Sequence, residues 1–189
     1  MIEVRWLGRG GQGAFTAARL LGLSAALFEN KYAQAFPSFG PERRGAPVSA
    51  FTRIADQKIT DRSEVTRCDY LVVLDETLWK PQLWQDLKPG GTVLVNATDP
   101  TQWFEKASAD APDEYRRANR KASAINALAI ARNWIGKPIV NTAMLGALVG
   151  LSGIISLEAA IQGIRHEMKP AQVAGNVNAL TMACKKVRP

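Results

Sequence analysis

Cysteine and histidine are scarce in this chain of 189 residues, which contains two cysteines and one histidine. Cys68 and Cys184 lie far apart, so neither a zinc site nor an iron–sulfur cluster can be built from this chain alone. We expect both to be reduced thiols. His166 falls on a late, charged segment and is a poor candidate for a catalytic base. The sequence therefore predicts no catalytic residue and no metal ligands of its own.

Long hydrophobic runs are also missing. The most apolar stretch, residues 142–155, is shorter than the roughly 20 residues that a membrane-spanning helix needs. The first residues form a strand-like pattern without the basic start, apolar core and cleavage site of a secretion signal. We therefore expect a cytoplasmic protein with no membrane partner. Its 47% hydrophobic residues are enough to build one globular domain, which we predict over residues 1–189.

The net charge of +7 raises the question of nucleic-acid binding. Its basic clusters, residues 116–121 and 185–188, are short and have no aromatic motif for stacking on bases beside them. A nucleic-acid-binding module is therefore a disfavoured alternative. Acidic protein partners or a phosphate-bearing ligand account for the charge equally well.

Strand-like and helix-like segments alternate along the chain. We predict strands at residues 2–7, 48–54, 70–74, 92–95 and 138–140. We predict helices at residues 14–28, 78–87, 123–135, 142–153, 156–168 and 170–186. Between these elements we predict a long functional loop at 31–47, a turn at 88–91 and a surface excursion at 98–121. This order predicts a doubly wound, mostly parallel α/β sheet of the Rossmann-like kind with a helical C-terminal part.

A glycine-rich loop follows the first predicted strand and has the spacing G-x-G-x-x-G. The candidate cofactor-binding residues here are Gly8, Gly10, Gly11, Gln12 and Gly13. Glycine at these positions lets backbone N–H groups approach a phosphate at the start of a helix, although a tight turn that only packs explains them as well. A dinucleotide site also needs an acid after the second strand, and the expected distance falls at a helix end, on Glu29. A free-standing NAD(P)-dependent Rossmann enzyme is therefore only the second hypothesis.

Three polar residues follow predicted strands, where ligands of open α/β sheets gather. They are Asp75, Asn96 and Asn141. Of the three, we include Asn141 among the cofactor-binding candidates. Each also has a structural alternative: helix N-cap for Asp75 and Asn141, turn former for Asn96.

Two motifs resemble the gamma subunits of pyruvate:ferredoxin oxidoreductase and its 2-oxoacid relatives. The glycine loop with the following Thr16-Ala17-Ala18 resembles the start of those subunits. A more specific match is Tyr32-Ala33-Gln34-Ala35-Phe36-Pro37, Phe39-Gly40, Glu42-Arg43-Arg44-Gly45-Ala46-Pro47-Val48 and Ala50-Phe51-Thr52-Arg53-Ile54. Weaker echoes around Asn141 and Asn176 extend the resemblance through nearly the whole chain. Leu7, Pro41 and Thr142 depart from commoner choices, which leaves pyruvate, branched-chain and aryl 2-oxoacids open, phenylglyoxylate included.

The resemblance implies one subunit of a hetero-oligomeric enzyme. In such enzymes thiamine diphosphate, bound with Mg²⁺ by other subunits, attacks a 2-oxoacid, and carbon dioxide leaves. Electrons pass through 4Fe-4S clusters to ferredoxin or another acceptor such as NAD, and coenzyme A takes the acyl group. This chain lacks the cysteine sets and the G-D-G motif for those cofactors, so the resemblance implies partner subunits of alpha, beta and delta (ferredoxin-like) type.

Arg43 and Arg44 stand beside Glu42 in the more specific motif. Their guanidinium groups suit carboxylates of a neighbouring subunit or the phosphates of coenzyme A, and we include both as cofactor-binding candidates. Local salt bridging on an exposed loop is the alternative. Because aromatic residues such as Phe36 and Phe39 accompany the pair, we favour a buried surface between subunits.

Overall fold

The computed structural model describes residues 1–38 and 45–188. In these residues the strands are β1 (Ile2–Arg9), β2 (Tyr32–Pro37), β3 (Pro47–Ala55), β4 (Cys68–Val73), β5 (Leu87–Asn96) and β6 (Lys121–Ile125). The α-helices are α1 (Ala14–Phe28), α2 (Pro100–Ala109), α3 (Asp113–Arg117), α4 (Ala127–Ile135), α5 (Asn141–Ser152), α6 (Leu157–Glu167) and α7 (Pro170–Lys186). None of the helices in this part of the chain is long and apolar enough to cross a membrane.

The strands form one sheet in the order β2-β3-β1-β4-β5-β6. Strands β1, β4, β5 and β6 run parallel, whereas β3 is antiparallel to both of its neighbours, β1 and β2. The predicted mostly parallel α/β sheet with a helical C-terminal part is thus confirmed, and the antiparallel pairings lie towards one edge.

Side chains alternate between the two faces of the sheet, so neighbouring residues of one strand enter two different hydrophobic cores. Val72 and Leu94 pack beneath the layer of α1 and α4 to α7. Val73 and Val95 face the opposite side, where an aromatic group covers the sheet. The large aromatic side chains of that group are Trp84, Trp103 and Tyr115. Burial on both faces explains the continuous apolar runs of the central strands.

The prediction of a long loop over residues 31–47 is wrong at its start, because residues 32–37 form β2. Proline usually interrupts regular structure, but Pro37 is the last residue of the edge strand β2 and Pro47 is the first residue of β3, and proline is tolerated at both kinds of position. Phe39, Arg43 and Arg44 lie outside the described residues.

The turn predicted at residues 88–91 and the start of the helix predicted over 123–135 are also wrong. Residues 88–91 belong to β5, where Gly90 adopts a φ of 75° and donates its N–H to the Ala118 carbonyl oxygen. The predicted helix over 123–135 begins as β6, and α4 starts only after Asn126, whose side chain accepts a hydrogen bond from the Ala129 N–H. Pairing with a neighbouring strand decides both cases, and single-sequence patterns do not contain that information.

Some of the remaining predicted elements differ from the structure, and others agree with it. The helix predicted over 78–87 is not formed: the chain has two short 3-10 helices instead, Glu76–Leu78 and Pro81–Asp86, and Leu87 already belongs to β5. The surface excursion at 98–121 contains α2 and α3, and residues 138–140 form no strand. The predictions of α1, of α7 after Pro170 and of Ser156 as the N-cap of α6 are confirmed.

Candidate functional site

The glycine loop joins the carboxyl end of β1 to the start of α1. Gly8 is still part of β1, while Gly11 and Gly13 adopt left-handed backbone conformations, with φ of 96° and 83°. Gly13 is the N-cap of α1, and this helix start has neither a side-chain cap nor an acidic residue in its first turn. The N–H groups of the first helical turn are therefore available for an anion.

Other groups of the loop are engaged within the protein. The Arg9 N–H donates to Gln12 Oε1 at 2.7 Å, and the Gln12 N–H donates to the Arg9 carbonyl oxygen at 2.9 Å. Gly10 pairs through its N–H with Ala46 and through its carbonyl oxygen with the Gly45 N–H. These bonds fix the shape of the loop, so an anion has to be held mainly by the beginning of α1.

Asp75 holds the glycine loop to the end of β4. Its Oδ2 accepts hydrogen bonds from Gln12 Nε2 at 3.1 Å and from Arg9 Nε at 3.0 Å. Its Oδ1 accepts from the Thr77 N–H, which confirms the predicted N-cap role. Partial burial acts to raise the pKa of the Asp75 carboxyl, but the hydrogen bonds from Thr77, Gln12 and Arg9 outweigh it and lower the pKa overall. The charged carboxylate is thus a structural anchor.

Asn96, at the end of β5, also has a structural role. Its Oδ1 accepts from the backbone N–H groups of Ala127 and Leu128, at 3.0 and 3.2 Å. Its Nδ2 donates to the Leu74 carbonyl oxygen. Asn96 therefore satisfies donors at the start of α4, which is a different role from the predicted turn former.

Asn141 lies directly against the glycine loop. The prediction that it caps α5 is wrong, because Val140 is the N-cap and Asn141 is the first helical residue. Its Oδ1 accepts from the Thr142 N–H, and a Cβ atom placed on Gly13 would lie 2.6 Å from Asn141 Nδ2. The structure therefore brings together two sequence-predicted candidates, Gly13 and Asn141, that are far apart in the chain.

A cleft of about 660 Å³ opens beside this contact. Residues from the starts of three helices line it: Thr16 of α1, Asn141 of α5 and Gln172 of α7. None of these three helices has a side-chain hydrogen bond at its N-cap. The N-termini of α1, α5 and α7 contribute positive potential to the cleft, whereas the C-terminal residues of α4 and α6, Ile135 and Glu167, also line it and contribute negative potential.

Lysines add to the charge of the cleft. Lys137 and Lys169 line it, and within residues 1–38 and 45–188 neither forms a salt bridge, whereas Arg19 is paired with Glu167. Sequence reasoning missed both lysines. The available signal was their position, since each directly precedes a proline that stands shortly before or at the start of a helix.

The side-chain amide of Asn141 lies at the same cleft. Asn141 is 6% exposed, and its Nδ2 makes no hydrogen bond to any of the described residues. Asn176 in the same cleft has partners at both ends of its amide, since its Oδ1 accepts from Thr142 Oγ1 and its Nδ2 donates to the Gln172 carbonyl oxygen. An amide donor on a residue that lines a cleft suits a ligand with acceptor oxygens.

The topology argues against a dinucleotide site of the usual kind. The strand after α1 is β2, which lies at the sheet edge beyond β3 and not next to β1. Glu29, at the position where the ribose-binding acid was sought, accepts a hydrogen bond from the Ser156 N–H at the start of α6. The acid is therefore used to join two helices. Within residues 1–38 and 45–188, no group of three His, Cys, Asp or Glu residues is placed to hold a metal ion.

Comparison with known proteins identifies the family of this chain. A family model described as pyruvate ferredoxin/flavodoxin oxidoreductase matches residues 3–186. Pyruvate synthase subunit PorC of Methanothermobacter marburgensis is 43% identical, with 100% of this chain and 98% of the relative covered. The pyruvate/ketoisovalerate oxidoreductases common subunit gamma of Thermococcus kodakarensis is 42% identical, with 98% and 97% covered.

Solved structures agree with these relatives. The crystal structure of pyruvate oxidoreductase subunit PORC from Thermotoga maritima matches with a TM-score of 0.82 at 38% identity, over 99% of this chain and 97% of that one. A 2-oxoglutarate:ferredoxin oxidoreductase from Magnetococcus marinus, solved with 2-oxoglutarate, coenzyme A and succinyl-CoA bound, shares the fold at 18% identity, and this chain spans 30% of its length. These matches do not support the NAD(P)-dependent alternative. The chain belongs to the pyruvate ferredoxin/flavodoxin oxidoreductase family, as a gamma-type subunit of a multi-subunit 2-oxoacid oxidoreductase.

Proposed function

We propose that this chain is the gamma subunit of an enzyme that oxidatively decarboxylates pyruvate and forms acetyl-CoA. The observation that carries the proposal is the match over nearly the full length of both chains to pyruvate synthase subunits. The Thermococcus kodakarensis relative is named as a subunit common to pyruvate and ketoisovalerate oxidoreductases. Since that relative is shared by two enzymes, we infer that selection of the 2-oxoacid belongs mainly to other subunits.

The chemistry requires cofactors that this chain is not equipped to bind. In such an enzyme thiamine diphosphate with Mg²⁺ would supply the nucleophile for the oxo carbon, and 4Fe-4S clusters would supply the route for the electrons to ferredoxin. A 4Fe-4S cluster needs four cysteine ligands, and this chain has two cysteines. We therefore assign these cofactors to subunits of alpha, beta and delta type.

The contribution of this chain is to hold the phosphate-bearing part of coenzyme A. The cleft beside Gly13 and Asn141 supports this, because Asn141 and two lysines line one cavity at the starts of three helices. Coenzyme A carries phosphate groups that match such donors. Arg43 and Arg44, outside the described residues, stay sequence-based candidates for the same ligand or for a subunit contact.

The test uses the assembled enzyme in which Lys137 and Lys169 are both replaced by alanine. A charge-assisted contact contributes about 1.5–3 kcal/mol, so loss of one should raise the KM for coenzyme A roughly 10-fold to 150-fold. The KM for pyruvate and the rate of carbon dioxide release in the coenzyme A-independent half-reaction should stay unchanged. The matched control is Lys58→Ala with Lys80→Ala, which removes the same charge at exposed residues outside this cleft. An unchanged KM for coenzyme A in the Lys137/Lys169 variant would show that the cleft has another role.

A further inference from the structure

Strand β6 lies at the edge of the sheet, and one of its sides is unpaired among the described residues. Its only strand partner there is β5. The Ile125 carbonyl oxygen accepts from the Ala97 N–H at 3.1 Å, so the peptide groups of Ile125 point towards β5. Because peptide groups alternate along a strand, those of Ala122 and Ala124 point away from the sheet. Two residues thus present backbone donors and acceptors to the outside.

A groove of about 800 Å³ runs along this open edge. Ala122 and Ala124 lie at its floor, α2 forms one side, and α4 and α7 form the other. Phe104 of α2 is 44% exposed and Trp134 of α4 is 38% exposed, and both line the groove. Apolar side chains beside an open strand edge fit the side chains of one added strand.

The groove is positively charged, and this charge favours an acidic segment over a neutral or basic one. Lys186 and Arg188 line it, and no acidic side chain does so among the described residues. A second copy of this chain would bring the same cations against each other, which disfavours pairing of two β6 edges. An extended segment with acidic side chains matches both the backbone edge and the charge.

We propose that an extended, acidic segment of another subunit of the enzyme lies in this groove and pairs with β6 as a seventh strand. Exposed strand edges promote aggregation, and coverage by another chain removes that hazard. The groove shares only Trp134 with the cleft beside Asn141, so the inference is independent of the assignment of coenzyme A. A failure of one therefore leaves the other intact.

The first test is charge reversal in the co-expressed complex. Lys186→Glu with Arg188→Glu should weaken association of this chain with its partner subunits by at least about ten-fold, measured by titration of purified components. The control is Lys185→Glu with Arg132→Glu, which makes the same charge change at exposed residues that lie outside the groove, in the last turns of α7 and α4. The control should assemble normally. Equal affinity of the two variants would overturn the proposal.

The second test identifies the occupant directly and does not depend on a folding-sensitive substitution. A photo-crosslinking amino acid is placed at Thr101 or at Asn133, on opposite sides of the groove, in the assembled enzyme. The expected crosslinks map to one acidic, extended segment of another subunit. Crosslinks to a second copy of this chain, or no crosslink from either position, would overturn the proposal. Ala124→Pro removes an outward N–H and should lower affinity in the same way if the variant folds, as judged by circular dichroism.

Discussion

Single residues at the glycine loop are constrained for different reasons. Gly11 and Gly13 both have positive φ, which costs a residue with a side chain roughly 1–2 kcal/mol. Beyond that, Gly13 lies against Asn141, while a Cβ at Gly11 would meet no atom within 4 Å. The motif spacing therefore identifies two glycines of unequal importance, and only the contact with Asn141 separates them.

Replacement of Gly13 by alanine should destabilise the chain more than replacement of Gly11. We expect Gly11→Ala to lose roughly 1–2 kcal/mol of unfolding free energy from backbone strain alone. Gly13→Ala should lose a further 1–3 kcal/mol or so, because its Cβ overlaps the Asn141 amide. Urea denaturation of both variants measures the difference. In an Asn141→Ala background the difference should shrink, and persistence of the full difference there would contradict the steric explanation.

The role of a single residue was predicted correctly where its hydrogen-bond partner lies close to it in the sequence. The capping role of Asp75 depends on Thr77, two residues away, and helix-start statistics contain that information. The assignment of Asn141 as an N-cap failed, because its surroundings are set by Gly13 in a distant part of the chain. The lysines of the cleft were missed for the same reason.

At the scale of elements, helices α5 and α7 approach each other unusually closely. A Cβ on Gly146 would lie 2.1 Å from the Leu180 carbonyl oxygen, and one on Gly150 would lie 2.3 Å from that of Cys184. Helix backbones can come this near only where one helix presents glycine. Gly146 and Gly150 thus serve packing in the core, as expected for a helix that is buried almost all round, whereas Gly153 ends that helix with a φ of 61°.

Gly146→Ala should therefore destabilise the protein although alanine favours helix formation. We expect a loss of about 1–3 kcal/mol from overpacking, seen as a lowered Tm. Gly22→Ala in α1 is the matched control, since its Cβ would meet other atoms at 3.5 Å or more. That variant should be unchanged or more stable by up to about 1 kcal/mol. A Tm for Gly146→Ala at or above that of Gly22→Ala would disprove the close-packing argument.

Helices were predicted well where an uninterrupted apolar segment or a proline at the helix start marks them. The long apolar helices α1, α5 and α7 agree with their sequence patterns, within a residue or two at each end. Strands β2 and β6 were missed, and both lie at the edges of the sheet. An edge strand has fewer neighbours to impose an apolar pattern, so its sequence resembles that of a loop or helix end.

At the scale of the whole molecule, the order of strands determines what the glycine loop can do. Because β3 pairs antiparallel with β1, the strand that follows α1 is displaced to the edge. The crevice that normally holds a dinucleotide is thereby altered, although the G-x-G-x-x-G spacing is present. The same arrangement leaves the starts of α1, α5 and α7 around one cleft.

The purified chain should be inactive and colourless by itself. With two cysteines it cannot supply the ligands of a 4Fe-4S cluster, so no absorption near 400 nm is expected. Addition of pyruvate, coenzyme A, thiamine diphosphate and ferredoxin should give no reduction of ferredoxin. Activity should appear on mixing with the remaining subunits. Turnover of a 2-oxoacid by the isolated chain would contradict a subunit role.

The amino-acid sequence by itself determined the family, the α/β class and the absence of cluster ligands, because these depend on local motifs and on composition. It also located α1, α5, α6 and α7, which apolar segments and helix start signals mark in the sequence. Only the tertiary structure decided that Gly13 meets Asn141, that Lys137 and Lys169 share their cleft, and that β6 is an open edge. These facts join segments far apart in the chain, and the free energy that brings them together comes from burial in the core, which no local pattern encodes.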